Sequence, residues 1–136
     1  MNDTQKTFDI QATIKASLTQ ENIDDIMVSA LEGGICYWAS KAVVVGGKYF
    51  GEYASDQISR GGEIEIWLYE PIDNGKGCHV LSLEKFLNGF KLWLENGGDC
   101  YDAVDHHDGS VDCGEIDGGC ADEIIQYALF GEVIFG

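Results

Sequence analysis

The stretch that decides the fold is EIEIWLYEPIDNGKGCHVLSLEKFLNGFKLWLENGG, residues 63–98. Apolar and polar side chains alternate over residues 63–69, a pattern typical of a half-buried strand. Residues 71–77 combine Pro, Asp-Asn-Gly and a second Gly, which favour a turn. The chain then returns over residues 78–81 with a second strand-like run. The segment therefore predicts a β-hairpin.

A helix follows this hairpin directly. Ser82 can cap its first turn, and apolar residues then recur at helical spacing until Gly97-Gly98. Thr19 is a similar N-cap for an earlier helix, which is predicted to end at Gly33-Gly34. Residues 121–130 carry the pattern of a third helix, followed by a glycine. These three segments predict the helical layer of the fold.

Shorter patterns fill the rest of the chain. Residues 8–18 alternate strictly, which predicts a half-buried strand. Residues 42–45 predict a short β segment, residues 54–60 a helical turn, and residues 132–135 an edge strand at the C-terminus. Helices mixed with antiparallel-type strands, without a βαβ repeat, indicate the α+β class. We expect one domain over residues 1–136, with a small, mainly antiparallel sheet packed with about three helices.

The charge of the chain excludes several functions. The 136 residues include 24 acidic and 8 basic side chains, so the formal net charge is −16. Such a surface repels nucleic acid and anionic membranes, and direct binding to either is not expected. It attracts basic protein surfaces, and many of those exist to hold nucleic acid. The predicted partner is therefore a basic nucleic-acid-binding protein. The oligomeric state stays open.

The cysteines and the first residues indicate a cytoplasmic protein. MNDTQKTFDIQ lacks the basic and apolar regions of a signal peptide, and no apolar run approaches the ~18–20 residues of a membrane span. The number of cysteines is odd, which argues against a complete disulfide framework. We expect reduced thiols. The five cysteines are Cys36, Cys78, Cys100, Cys113 and Cys120.

Acidic side chains are concentrated in residues 95–123, which contain ten of them and no lysine or arginine. The glycines and Asp-Gly steps of this segment disfavour a continuous helix and favour a loop or hairpin dense in carboxylates. Carboxylates on a folded scaffold can occupy the positions of nucleic-acid phosphates on a basic protein surface. The residues predicted to do so are Asp99, Asp102, Asp105, Asp108, Asp112, Glu115 and Asp117.

Two other interpretations of this segment stay open. A run of charge is often only a solvated loop. Carboxylates also bind Ca²⁺ or Mg²⁺, although residues 105–109 have the wrong spacing for an EF-hand. Zinc would need the cysteines and histidines of residues 100–120, which include no close pair of the C-x₂₋₄-C type. No metal ligand and no cofactor is therefore predicted, and a metal-binding module is kept as an alternative.

Pairs of cysteine and histidine are the catalytic candidates. Cys113 with His106 or His107, and Cys78 with the adjacent His79, could combine a thiol with a base. Neither pair lies in a recognisable nucleophile motif. We predict inert thiols, no catalytic residue and no enzymatic activity.

A small-ligand or nucleotide-signal sponge is an alternative of a different class. Nucleotide signals are anionic, so this acidic chain would need its few bases gathered at one site. Arg60 and Lys48 are the candidates for that site.

Four stretches also carry a resemblance to a known family. They are ALEGGICYWASKA (30–42), GEYASDQISRGGEIEIW (51–67), LSLEKFLNGFKLWLENGGD (81–99) and ADEIIQYALFGEVIFG (121–136). They resemble a family of small acidic proteins from phages and prophages of Gram-positive bacteria. The resemblance implies a bacterial host cytoplasm and an antagonist of host defence, such as an anti-CRISPR protein or a restriction inhibitor. Together with the charge, it predicts a DNA mimic that blocks a defence nuclease of the Cas9 type.

Overall fold

The computed structural model describes residues 5–72, 75, 77–98 and 102–136. Within these ranges the chain forms a three-stranded antiparallel sheet and three α-helices, which confirms the predicted α+β class. The strands are β1 (Ala39–Val44), β2 (Ile64–Leu68) and β3 (Cys78–Leu81), in that order across the sheet. The helices are α1 (Gln20–Ser29), α2 (Leu83–Glu95) and α3 (Gly118–Phe130). None of the helices in the described ranges has both the length and the apolar composition needed to cross a membrane.

The predicted hairpin is formed by β2 and β3. Ile64 pairs with Leu81 in antiparallel register, and the apolar face of β2 is buried, as its alternation requires. β1 pairs with the other side of β2 and begins at Ala39, earlier than the predicted segment 42–45. Three residues of the predicted turn lie outside the described part of the chain, namely Asp73, Asn74 and Lys76.

The helices begin where the sequence offers a cap. The hydroxyl of Thr19 accepts a hydrogen bond from the backbone N–H of Asn22 (3.0 Å), and the hydroxyl of Ser82 accepts one from Lys85 (3.3 Å). α3 begins at Gly118, three residues before the predicted start at residue 121. The reason is that the carboxylate of Asp117 accepts a hydrogen bond from the Cys120 N–H and so caps the helix at this earlier point. An acidic N-cap satisfies a free N–H and also complements the helix dipole.

Two predicted strands are wrong, and the first is residues 8–18. Phe8 and Ile10 are 84% and 88% exposed, and the β pairing in this segment is one bridge between Ser17 and Ser110. Alternation gives a segment one apolar and one polar face, which suits a half-buried strand. A strand also needs a neighbouring strand edge for its backbone hydrogen bonds. Apart from that bridge, the segment pairs with no strand of the described sheet.

The second wrong prediction is the edge strand over residues 132–135. The side-chain carbonyl of the buried Gln126 accepts hydrogen bonds from the backbone N–H groups of Ile134 and Phe135, both at 2.8 Å. The ring of Phe135 also stacks on Trp38, with centroids 5.1 Å apart. A side chain of α3 therefore provides the acceptors that a neighbouring strand would provide.

The helix pair α2–α3 depends on a close approach at Gly89. A Cβ atom placed there would lie 2.6 Å from the Cβ and 2.7 Å from the backbone N of Ala128 on α3. Only glycine allows the two helices to approach so closely at this point. Phe86, Phe90 and Trp93 of α2 are buried against the rest of the core around this contact.

We predict that Gly89→Ala destabilises the protein, although Ala is a better helix former than Gly by about 1 kcal/mol. The added methyl group meets backbone atoms, so we expect strain at the upper end of the about 1–3 kcal/mol typical of overpacking. The free energy of unfolding should fall by about 2 kcal/mol in urea titrations. Asn88→Ala, at the neighbouring exposed position, is the control and should not destabilise. A Gly89→Ala protein as stable as wild type would contradict the close packing.

Candidate functional site

The acidic segment folds into an ordered hairpin, which we call the acidic lobe (residues 102–117). The backbone N–H of Asp112 donates to the carbonyl of Ala103 (2.7 Å), and that of Asp105 donates to Ser110 (2.8 Å). Val104 and Val111 form an antiparallel bridge between them. The expectation of a hairpin dense in carboxylates is therefore confirmed for these residues. Asp99 lies outside the described part of the chain.

Apolar side chains and the N-terminal segment fasten the acidic lobe to the body of the protein. Ala103, Val104 and Ile116 are 2–4% exposed and belong to the main core. The backbone N–H of Ser17 donates to the carbonyl of Gly109 at 2.7 Å. Gly109 has a φ of +77°, which favours glycine. The lobe is thus a fixed part of the fold.

Four lobe carboxylates take part in local hydrogen bonds that shape the hairpin. Asp105 accepts from the backbone N–H of His107 at 2.7 Å, and Asp108 accepts from that of Ser110 at 2.8 Å. Asp112 and Asp117 accept in the same way, each at 2.9 Å, from residues two or three positions later. Such Asx-type bonds fix the direction of a side chain as well as the turn.

These contacts leave the carboxylates accessible and charged. All lobe residues predicted as phosphate mimics and described here are exposed: Asp102, Asp105, Asp108, Asp112, Glu115 and Asp117. The hydrogen bond from the Ser110 N–H lowers the pKa of Asp108, and the one from the Cys120 N–H lowers the pKa of Asp117. Both groups therefore stay ionised well below neutral pH.

Lysine and arginine do not neutralise the acidic lobe within the described ranges. The ion pairs of these residues there are those of Arg60, with Asp24 at 3.3 Å and Asp56 at 3.9 Å. Arg60, one of the bases proposed for a nucleotide site, is thus engaged by carboxylates on the body of the protein. The negative field of the lobe is left for solvent or for a partner.

A buried carboxylate lies beside the lobe and was missed as a separate feature in the sequence. Asp122 is 7% exposed and accepts hydrogen bonds from the Tyr37 hydroxyl (2.7 Å), the Trp38 indole N–H (2.7 Å) and the Gln126 amide (2.9 Å). Its position on the inward face of α3, next to the buried Ala121, was the available signal. The acidic composition around it concealed that signal.

A cleft of about 570 Å³ connects this cluster to the end of the lobe. Its acidic lining includes Asp117, Asp122 and Glu123, and its aromatic lining includes Tyr37 and Trp93. The indole N–H of Trp93 donates to the Glu123 carboxylate at 3.1 Å. Carboxylates beside aromatic rings suit the side chain of a lysine or an arginine.

The thiols near the lobe are protonated at neutral pH. Burial raises the pKa of Cys113, and burial with a hydrogen bond to Asp117 raises that of Cys120 to about 11. A protonated thiol is a weak nucleophile and a weak metal ligand. Among the described residues, no group of three or more His, Cys, Asp or Glu side chains is arranged to hold a metal ion.

Comparisons of the chain with protein-family models, curated proteins and solved structures found no match. The resemblance to phage proteins therefore stays a prediction. The geometry and charge of the acidic lobe and its cleft are the basis for a functional hypothesis.

We predict that the Tyr37–Asp122 hydrogen bond contributes to the free energy of unfolding and that this contribution is lost at alkaline pH. Burial, then the bond to Asp122, raises the pKa of Tyr37 to about 12, above its usual value of about 10. A raised pKa in the folded state means that the folded chain favours the protonated phenol. This contribution is complete below pH about 10 and is lost as the pH rises through about 12. Tyr37→Phe should therefore lose stability less steeply than wild type in this window, measured by urea unfolding. Parallel curves would contradict the prediction.

We also predict that Asp117 acts as a helix cap through its oxygen rather than through its charge alone. Asp117→Ala should lower the free energy of unfolding at neutral pH by about 1 kcal/mol, because the Cys120 N–H loses its acceptor. Asp117→Asn keeps an acceptor oxygen and should stay within a few tenths of wild type. Equal destabilisation by both substitutions would show that the charge, and not the cap, is responsible.

Proposed function

We propose that this protein inhibits a nucleic-acid-binding protein by occupying its basic surface with the acidic lobe. The observation that carries the proposal is the set of exposed carboxylates on an ordered hairpin, with no lysine or arginine paired to them in the described ranges. A surface that holds DNA or RNA presents lysine and arginine where phosphates bind. Carboxylates fixed on a folded scaffold can meet the same groups.

The order of the lobe supports this role over that of a merely solvated loop. Hydrogen bonds from backbone N–H groups hold Asp105, Asp108, Asp112 and Asp117 in defined directions before any partner binds. Fewer side-chain rotamers are then lost on binding, so more of the electrostatic attraction contributes to affinity. The field of the lobe also steers a basic partner toward it, and salt weakens both effects.

The cleft beside the lobe extends this surface with a site for one basic side chain. An arginine that enters it would meet the carboxylate of Glu123 and the exposed ring of Tyr37. A guanidinium group can bind a carboxylate and stack on an aromatic ring at the same time. The lobe would then provide the broad attraction and the cleft a specific anchor.

The target class that we propose is a bacterial defence nuclease, with a Cas9-type enzyme as the first candidate. Such an enzyme holds its guide–target heteroduplex in a positively charged channel and reads a short motif with arginine side chains. The inhibitor would act as a phage-type protein in the cytoplasm of the bacterial cell. Restriction endonucleases present similar basic clefts and form the second group of targets.

Neutralisation of the acidic lobe tests the proposal. Asp102→Asn, Asp105→Asn, Asp108→Asn and Glu115→Gln are combined in one variant, in which the amide oxygens still accept the local hydrogen bonds. The assay measures how much protein displaces labelled target DNA from guide-loaded Cas9-type nucleases and from restriction endonucleases. We expect wild type to displace the DNA, and the concentration that displaces half of it to rise with salt. For the variant, this half-displacement concentration should be about tenfold or more above that of wild type.

The matched control removes the same number of negative charges away from the lobe. Its substitutions are Glu32→Gln, Glu70→Gln, Glu84→Gln and Glu132→Gln, all at exposed positions. We expect the control to displace DNA nearly as well as wild type, because the lobe is intact. Equal losses in both variants would show that total charge is responsible and not the lobe. Failure of wild type to displace DNA from any enzyme of the panel would overturn the proposal.

A further inference from the structure

The longest run of this acidic chain without an acidic residue is residues 33–51. Residues 33–51 have two lysines, Lys41 and Lys48, and neither Asp nor Glu, in a chain whose net charge is −16. The segment forms β1 and the loop that follows it. A basic partner, which the acidic lobe would attract, has no electrostatic reason to bind here. A second copy of the chain meets no carboxylate repulsion from this segment.

Within the described residues, the backbone of β1 pairs with a strand on one side only. β1 lies at an edge of the sheet, and its other side pairs with β2. Val45 donates its N–H to the carbonyl of Glu63 at 3.1 Å, which makes this pair a hydrogen-bonded one. Because such pairs alternate in an antiparallel ladder, the outward N–H and C=O groups of β1 belong to Ala42 and Val44.

The usual protections of an edge strand are weak over this stretch. The ammonium group of Lys41 lies over the Trp67 ring, 4.9 Å from its centroid, instead of projecting past the edge. The bulge of β1 falls at Ser40, so the strand is regular from Lys41 onward. The carboxylates of Glu63 and Glu65 belong to β2 and are separated from the edge by β1 itself. An open, regular edge whose one charged side chain is turned onto Trp67 favours pairing with another strand.

The apolar side chains of the segment are exposed and held in place. Val43 and Val45 are 39% and 36% exposed, and Tyr49 and Phe50 are exposed by half or more. The loop that carries the aromatic rings is fixed by Gln57, itself only 1% exposed. Its side chain accepts from the Phe50 N–H at 2.9 Å and donates to the Lys48 carbonyl at 3.2 Å. Aromatic side chains presented on a rigid loop are typical of interface anchors.

We propose that two copies of this chain form a symmetric dimer by antiparallel pairing of their β1 edges, which joins the two sheets into one. The register follows from the outward groups. Ala42 of one copy pairs with Val44 of the other, so that Val43 lies on the two-fold axis and Lys41 is opposite Val45. No lysine then faces a lysine, and the loop aromatics extend the contact beyond the strands. The dimer does not depend on the proposed inhibitory function.

The test is sedimentation velocity of the full chain over a range of protein concentrations and at two salt concentrations. Net charges of the same sign repel across the dimer, so the dimer should tighten between about 0.1 M and about 1 M salt, where the screening length falls from about 10 Å to about 3 Å. This dependence is opposite to that of a complex with a basic partner. A chain that stays monomeric at every protein and salt concentration overturns the proposal.

Val43→Lys identifies the interface. In the monomer the new lysine is opposite Glu65 on β2, so the fold is retained. In the dimer two lysines meet on the axis, and we expect the dissociation constant to rise by about tenfold or more. Val28→Lys on α1 is the matched control, since Val28 is 38% exposed and the charge change is the same. A dimer that both substitutions leave unchanged, or weaken equally, overturns the β1 pairing.

Discussion

The buried carboxylate of Asp122 is the interaction on which much of the structure depends. It joins α3 to the segment that precedes β1, because Tyr37 and Trp38 both donate hydrogen bonds to it. Gln126 is the third donor, and its own carbonyl fixes the C-terminal residues. A carboxylate removed from water needs hydrogen-bond donors in place of water, and three donors reach Asp122 at 2.7–2.9 Å. The sheet, α3 and the C-terminus are therefore positioned together.

This constraint divides the acidic residues into two groups with opposite surroundings. Asp122 is inside and binds donors of the protein itself, whereas the carboxylates of the acidic lobe face solvent. Several lobe carboxylates accept a backbone hydrogen bond in a turn and are also exposed, so the same residue shapes the hairpin and presents its charge to solvent. The acid-free segment around β1 forms a third kind of surface, apolar and open along its edge. Attraction of a basic partner and pairing of two copies would thus use different parts of the molecule.

Local patterns predicted the elements whose periodicity and caps agree. The hairpin of β2 and β3 and the starts of α1 and α2 followed from alternation, turn residues and the hydroxyls of Thr19 and Ser82. The same alternation over residues 8–18 gave a wrong strand prediction, because a strand requires a partner edge and no local pattern guarantees one. The strand prediction for residues 132–135 was wrong for the same reason. There the side chain of Gln126 accepts the backbone hydrogen bonds that a neighbouring strand would accept.

The sequence by itself determined the α+β class, the net charge of −16 and the concentration of carboxylates in one segment, because composition and short-range spacing are properties of the chain alone. Only the tertiary structure decided which of the described carboxylates are exposed and that Asp122 is buried. It also placed Asp117, Asp122 and Glu123 around one cleft, together with Tyr37 and Trp93 from distant parts of the chain. These outcomes depend on contacts between residues far apart in sequence, whose hydrogen bonds and burial exist only after the helices and the sheet have packed.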